Sequence, residues 1–261
     1  MLRIRVVSAI VLVPLVIGSV VLGGLAFFAL VFLALLLAGY EFYQMAQRAG
    51  YRPIPAVGHA LIALTLLDAY AQTGLSREIL TAALVITLIV AIFQRGDGWL
   101  VGWALTFAGA LYVGWFGAYF LRVRGLPDGM MWTALALLTA WAADTGAYLV
   151  GRRIGRRGLF TAISPKKTWE GAVGGEVAAI LTALLLGSLW GLPALHSLAF
   201  GFCLGIAAAL GDLAESLIKR QFGAKDSSNI VPGHGGALDR LDSLLFAAVF
   251  AYYYVVVVWR V

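Results

Sequence analysis

Charge is scarce in this chain, and that scarcity excludes a soluble fold. Only 12% of its 261 residues are Asp, Glu, Lys or Arg, while 62% are hydrophobic. A water-soluble domain could not bury so much apolar side chain. Cysteine is nearly absent. With Cys203 alone, no intrachain disulfide can form and no cysteine-based metal cluster is possible. The glycine-rich stretch Gly233-His234-Gly235-Gly236 fits neither a Walker A loop nor a dinucleotide fingerprint. There is no internal repeat, no stretch long enough for a separate soluble domain, and nothing that points to a nucleic-acid partner.

What the chain does have is long apolar runs. A spanning helix needs ~20 apolar residues, and the pattern predicts nine spans: 6–22, 25–45, 54–72, 79–94, 99–121, 130–150, 172–190, 196–218 and 243–259. The expected fold is therefore all-α, a polytopic integral membrane protein of about nine transmembrane helices. It reads as a single membrane domain over 1–261. An N-terminal helical part covers 1–140, and a part with the polar loops 151–171 and 219–242 covers 141–261. The first run has basic residues at Arg3 and Arg5 but no small-residue cleavage site, so it reads as a membrane helix and not as a signal peptide.

Basic residues set the expected orientation. With a cytoplasmic N-terminus, 15 of the 19 Lys and Arg fall inside, among them Arg48, Arg52, Arg95, Arg152, Arg153, Arg156 and Arg157. Arg77, Arg122, Arg124 and Arg260 fall outside. This asymmetry follows the positive-inside rule and puts both long polar loops in the cytoplasm. The four arginines of the 152–157 run are read as orienting residues that also attract anionic lipid.

Chemistry is expected where charge enters apolar segments, because each such charge costs roughly 2.5–3.5 kcal/mol at a helix centre. Asp144 lies within a predicted span. Asp212, Glu215 and Lys219 are spaced to share one helix face, which a buried ion-pair ladder would also explain. Asp239 and Asp242 stand at the start of the last helix, where a carboxylate can also serve as a cap. If Asp144, Asp212, Asp239 and Asp242 converged, they would supply the hard oxygen ligands that magnesium uses beside substrate phosphates. In ISPKKTWEG, Lys166, Lys167 and Thr168 precede a predicted helix and suit an anion. The alternative is that the two lysines only orient the chain. His234 could donate to phosphate or act as a general acid. Gly171 and Gly175 have the spacing of close helix packing. Glu176 is ambiguous, and His59, His196 and Asp68 are assigned no role.

The segment GDLAESLIKR, followed by KDSSNIVPGHGGALDRLDS, closely resembles the C-terminal signature of the phosphatidate cytidylyltransferases, or CDP-diacylglycerol synthases. The matching positions are Ser216, Lys219, Arg220, Lys225, Asp226, Pro232, His234, Gly235, Gly236, Asp239, Arg240 and Asp242. DTGAY from Asp144 and the motif SPKKTWEG from Ser164 also resemble family motifs. Val231 and Ala237 stand where bulkier apolar residues are usual.

The resemblance implies magnesium-dependent transfer of CMP from CTP to phosphatidate in the bilayer, giving CDP-diacylglycerol and pyrophosphate. On this basis Asp212, Asp239, Lys219, Arg220 and His234 are the expected catalytic residues. Ser164, Lys166, Lys167, Thr168, Lys225, Gly235, Gly236 and Arg240 would bind substrate. Asp144, Asp212, Glu215, Asp239 and Asp242 would hold metal. The resemblance further implies a monovalent cation such as K+, a homodimer, and a site on the cytoplasmic side of the cell's inner membrane. A CTP-dependent lipid-alcohol kinase and an ion-coupled transporter are the alternatives.

Overall fold

The computed structural model describes residues 2–93, 98–228, 230 and 235–260, with side chains from residue 10 onward. The described residues form ten α-helices and no strand. The helices are α1 (Leu2–Leu22), α2 (Gly24–Arg48), α3 (Pro55–Ala71), α4 (Ser76–Phe93), α5 (Trp99–Gly109), α6 (Phe116–Arg124), α7 (Gly129–Ile154), α8 (Trp169–Leu189), α9 (Ala194–Gln221) and α10 (Leu238–Tyr253). A π-helical stretch, Ala110–Trp115, makes α5 and α6 one continuous rod, and another, Tyr254–Trp259, extends α10.

Every predicted span falls on a helix. Seven described helices are long and apolar enough to cross a membrane, and the chain is a polytopic membrane protein. The other two apolar helices, Ile10–Leu22 and Pro55–Ala71, are shorter, so the expected count of nine is met by seven at this length. One boundary bears on the site. The last helix starts at Leu238, ahead of the apolar run from 243, so Asp239 lies in its first turn as expected.

Two compact units are present, each built from two separate stretches. The first comprises Met1–Gly125 and Gln221–Leu241. Its helices approach closely where glycine leaves room: a Cβ on Gly109 would lie 2.6 Å from the Phe42 ring, and one on Gly114 would lie 2.9 Å from the Ile62 backbone. Tyr43 donates its hydroxyl to the Thr106 carbonyl at 2.7 Å, which ties α2 to α5. Asp68 accepts from Thr73 and from the backbone and hydroxyl of Ser76, so it caps the start of α4. Its role is structural.

The second unit comprises Leu126–Arg220 and Asp242–Val261. Here α7 and α8 pack backbone to backbone, since Cβ atoms on Gly171 and Gly175 would lie 2.9 and 2.7 Å from the carbonyls of Ala147 and Ala143. The spacing of Gly171 and Gly175 thus does mark helix packing. Trp132, Phe200, Tyr254 and Trp259 fill one core region with ring contacts of 5.2–6.4 Å. At Gly211 a Cβ would lie 2.6 Å from the Asp242 carbonyl, so α9 and α10 touch beside Asp212.

Candidate active site

In the second unit, tight packing on Ala143 and Ala147 fixes how α7 is rotated about its axis. The intervening Asp144 is exposed and accepts from the Ser243 hydroxyl of α10 at 2.9 Å. Asp144, Asp212 and Lys219 all act electrostatically on Asp242. Three of the predicted carboxylates therefore do come together, from three different helices. Mutual repulsion among them needs positive charge nearby. Lys167 supplies some: its Nζ sits 2.8 Å from Asp212 Oδ2. One helical turn further on, Lys219 pairs with the fully buried Glu215 at 2.5 Å, as the i, i+4 spacing allows.

The loop that carries Lys167 is shaped by its own sequence. Leu159 N donates to the Lys167 carbonyl at 2.7 Å and Trp169 N to the Arg157 carbonyl at 2.9 Å, a short antiparallel pairing around the bridge between Gly158 and Thr168. Glu170 accepts from the backbone N–H groups of Arg156 and Arg157, which closes the loop's base. In the turn, Lys167 N donates to the Ser164 carbonyl at 3.2 Å. A second tie comes from Arg220, whose Nε donates to the Ile163 carbonyl at 3.2 Å. Lys167 and Arg220 thus both join this loop to the end of α9. Thr168 is the N-cap of α8, accepting from Gly171 N at 3.1 Å. Lys166 is exposed.

The first unit holds the remaining predicted residues. Asp239 Oδ2 accepts from Ser227 N at 3.0 Å, from Ser227 Oγ at 2.8 Å and from Gly236 N at 2.8 Å. Gly235 has φ +83°, and a Cβ there would lie 2.8 Å from Asp239 Oδ2. Position 235 therefore calls for glycine, and the group packed against it is the protein's own Asp239 carboxylate. Lys225 and Arg240 are exposed. His234, Val231, Pro232, Gly233 and Arg95 lie outside the described residues, as do the side chains of Arg3 and Arg5.

One residue of this region was not expected from sequence. Glu41 of α2 is only 1% exposed. Its Oε2 accepts from Leu238 N at 2.8 Å and shares the single Ser227 hydroxyl hydrogen with Asp239 Oδ2, Ser227 Oγ lying 2.9 Å away. Its Oε1 accepts from Ser228 Oγ at 2.5 Å and Ala237 N at 2.9 Å. A charge inside the apolar run 25–45 is the signal that could have found it.

Among the described residues, no three His, Cys, Asp or Glu side chains are grouped closely enough to hold a metal ion alone. A magnesium ion usually takes one or two carboxylates and completes its shell with water and substrate phosphates. The mutually repelling oxygens of Asp144, Asp212 and Asp242 are donors of the right kind.

Apolar helices carrying carboxylates, lysines and arginine on joined helix ends define a membrane enzyme equipped to handle phosphates. The chain belongs to the cytidylyltransferase family, whose model matches residues 3–258. It is 40% identical over 214 residues to a phosphatidate cytidylyltransferase of Brucella suis, covering 72% of this chain and 77% of that protein. It is 32% identical over 285 residues to one from Synechocystis, covering 97% and 96%. A Bacillus subtilis phosphatidate cytidylyltransferase is 42% identical over 147 residues, 55% of each chain.

Proposed function

We propose that this chain transfers CMP from CTP to phosphatidate, forming CDP-diacylglycerol. An oxygen of the phosphatidate phosphate attacks the α-phosphorus of CTP. The bond from that phosphorus to the oxygen bridging to the β-phosphorus breaks, and pyrophosphate leaves with the electron pair. The nucleophile is already anionic, so no strong base is needed. The barrier lies in bringing two polyanions together, and placement with electrostatic support lowers it.

The observation that carries this reading is the Lys167–Asp212 pair, which ties the SPKKTWEG loop to the carboxylates of α7, α9 and α10. Lys167 and Arg220 would meet phosphate on this side, with Lys219, paired to buried Glu215, adding positive charge. Asp212, with Asp144 and Asp242, would hold magnesium, and Asp239, Glu215 and a monovalent cation such as K+ would complete the site. Bound magnesium would neutralise phosphate charge. His234, Lys225 and Arg240 would hold phosphate oxygens, with Ser164, Lys166, Thr168, Gly235 and Gly236 shaping their surroundings.

The same reading places the chain in the inner membrane with its N-terminus and its site on the cytoplasmic side. In that reading the 21 residues of α1 and the 17 of α3 complete nine crossings, and the active assembly is a homodimer. The basic Arg152–Lys167 region supports this orientation. A cysteine introduced as Arg156→Cys is expected to be labelled only from the cytoplasm, and Arg77→Cys only from outside.

Purified protein given phosphatidate, magnesium and CTP labelled at the α-phosphate is expected to put the label into lipid. Label from the γ-phosphate appearing in lipid would instead make it a kinase and overturn the proposal.

A further inference from the structure

Glu41 has a chemistry that helix packing alone does not call for. It is a buried carboxylate whose two oxygens meet four donors, two hydroxyls and two backbone N–H groups, with no cation among these four partners. A carboxylate is acceptor-only and has sites for about four hydrogen bonds, so this cradle fits it and fits no amide. A glutamine would turn its NH2 group toward a backbone N–H, which cannot accept, whichever way the amide is oriented.

The four donors come from two short stretches, Ser227–Ser228 and Ala237–Leu238. Leu238 opens α10, so Glu41 supplies from another helix the acceptors that an N-cap side chain would give. Ser227 is shared: its hydroxyl contacts both Glu41 Oε2 and Asp239 Oδ2. Gly236 lies against the same group, since a Cβ there would come 2.5 Å from Glu41 Oε2. Neighbouring Phe42 meets the ring of Phe222 at 5.5 Å, so consecutive residues of α2 hold this segment.

We propose that Glu41 is a positioning residue for cytidylyl transfer. It fixes the start of α10 and Ser227, and through them the carboxylate of Asp239. The proposal rests on the reading above, which places Asp239 in the site.

The test uses the full-length protein in lipid nanodiscs with CTP and phosphatidate. Glu41→Gln is expected to lower kcat by roughly 10- to 100-fold, the scale of one lost charge-assisted hydrogen bond. Hydrogen–deuterium exchange should rise at 224–228 and 235–241 and stay unchanged in α7 and α8. On an Asp239→Asn background, Glu41→Gln should add little further loss, because both act through one carboxylate. Wild-type kcat and KM in folded Glu41→Gln would overturn the proposal, as would full additivity with Asp239→Asn. If Glu41→Gln yields no folded protein, Ser228→Ala, which removes one donor, decides by the same criteria: lowered kcat supports the role and unchanged kcat ends it. An Asp239→Asn variant with normal turnover would remove Asp239 from the site, a separate result from any obtained at Glu41.

Discussion

The ammonium of Lys167 lies 2.8 Å from Asp212 Oδ2, joining the SPKKTWEG loop to a carboxylate set within an apolar helix. Both side chains keep partial solvent contact, 24% and 34% exposed, so the pair is open to a ligand. An open ion pair adds little to stability, typically about 0–1 kcal/mol. Its interest is therefore chemical.

Asp212→Asn should reduce kcat by roughly 10²–10³-fold, the scale of losing one preorganised electrostatic group. The amount of protein extracted folded from the membrane should not change. Lys167→Met should also reduce kcat, and the double variant should lose less than the product of the two single losses, since the groups touch. Wild-type turnover in Asp212→Asn would exclude this aspartate from catalysis.

Thr168, expected to bind substrate, has a structural role in the fold. Its hydroxyl accepts from Gly171 N, which accounts for it as the cap of α8. Thr168→Ala should lower stability by about 1 kcal/mol while KM for CTP stays within about twofold, and Thr168→Ser should match wild type. Thermal unfolding in detergent and steady-state kinetics read the two effects apart. A large rise in KM without a change in stability would make Thr168 a substrate ligand first.

Glu215 and Lys219 form the buried pair, with side chains 0% and 11% exposed. Removing one partner strands a buried charge, so Lys219→Met should cost about 3–5 kcal/mol, and adding Glu215→Leu should restore much of it. Turnover should remain low in the double variant, because Lys219 also faces Asp242 electrostatically. Recovery of turnover together with stability would reduce Lys219 to a structural partner.

The helices were legible because lipid demands long apolar runs, and hydropathy reports them directly. Asp144 and Asp212 were legible by the cost of their charge in such runs, and Asp242 by its place at the start of the last helix. Their partners were not. Which residue Lys167 meets depends on a loop closed by Glu170 and by backbone pairing, which no local pattern encodes. Glu41 carried the same signal of charge in an apolar run, but its partner Ser227 lies 186 positions away. Because Glu41 caps α10, that helix starts at Leu238, several residues before hydropathy rises.

Gly236 tests that arrangement by crowding. A methyl group there would overlap Ser227 Oγ and lie 2.5 Å from Glu41 Oε2. Neither group can retreat without giving up hydrogen bonds to its neighbours. Gly236→Ala should therefore cost about 1–3 kcal/mol, as overpacking does, and should lower turnover with it. Gly223 is the control: it has φ +67° with nothing within 4 Å of a Cβ, so Gly223→Ala meets only backbone strain of roughly 1–2 kcal/mol. Its turnover at a temperature where it stays folded should be normal. Equal losses of turnover in the two variants would mean that general loop strain matters and the Glu41–Ser227–Asp239 arrangement does not.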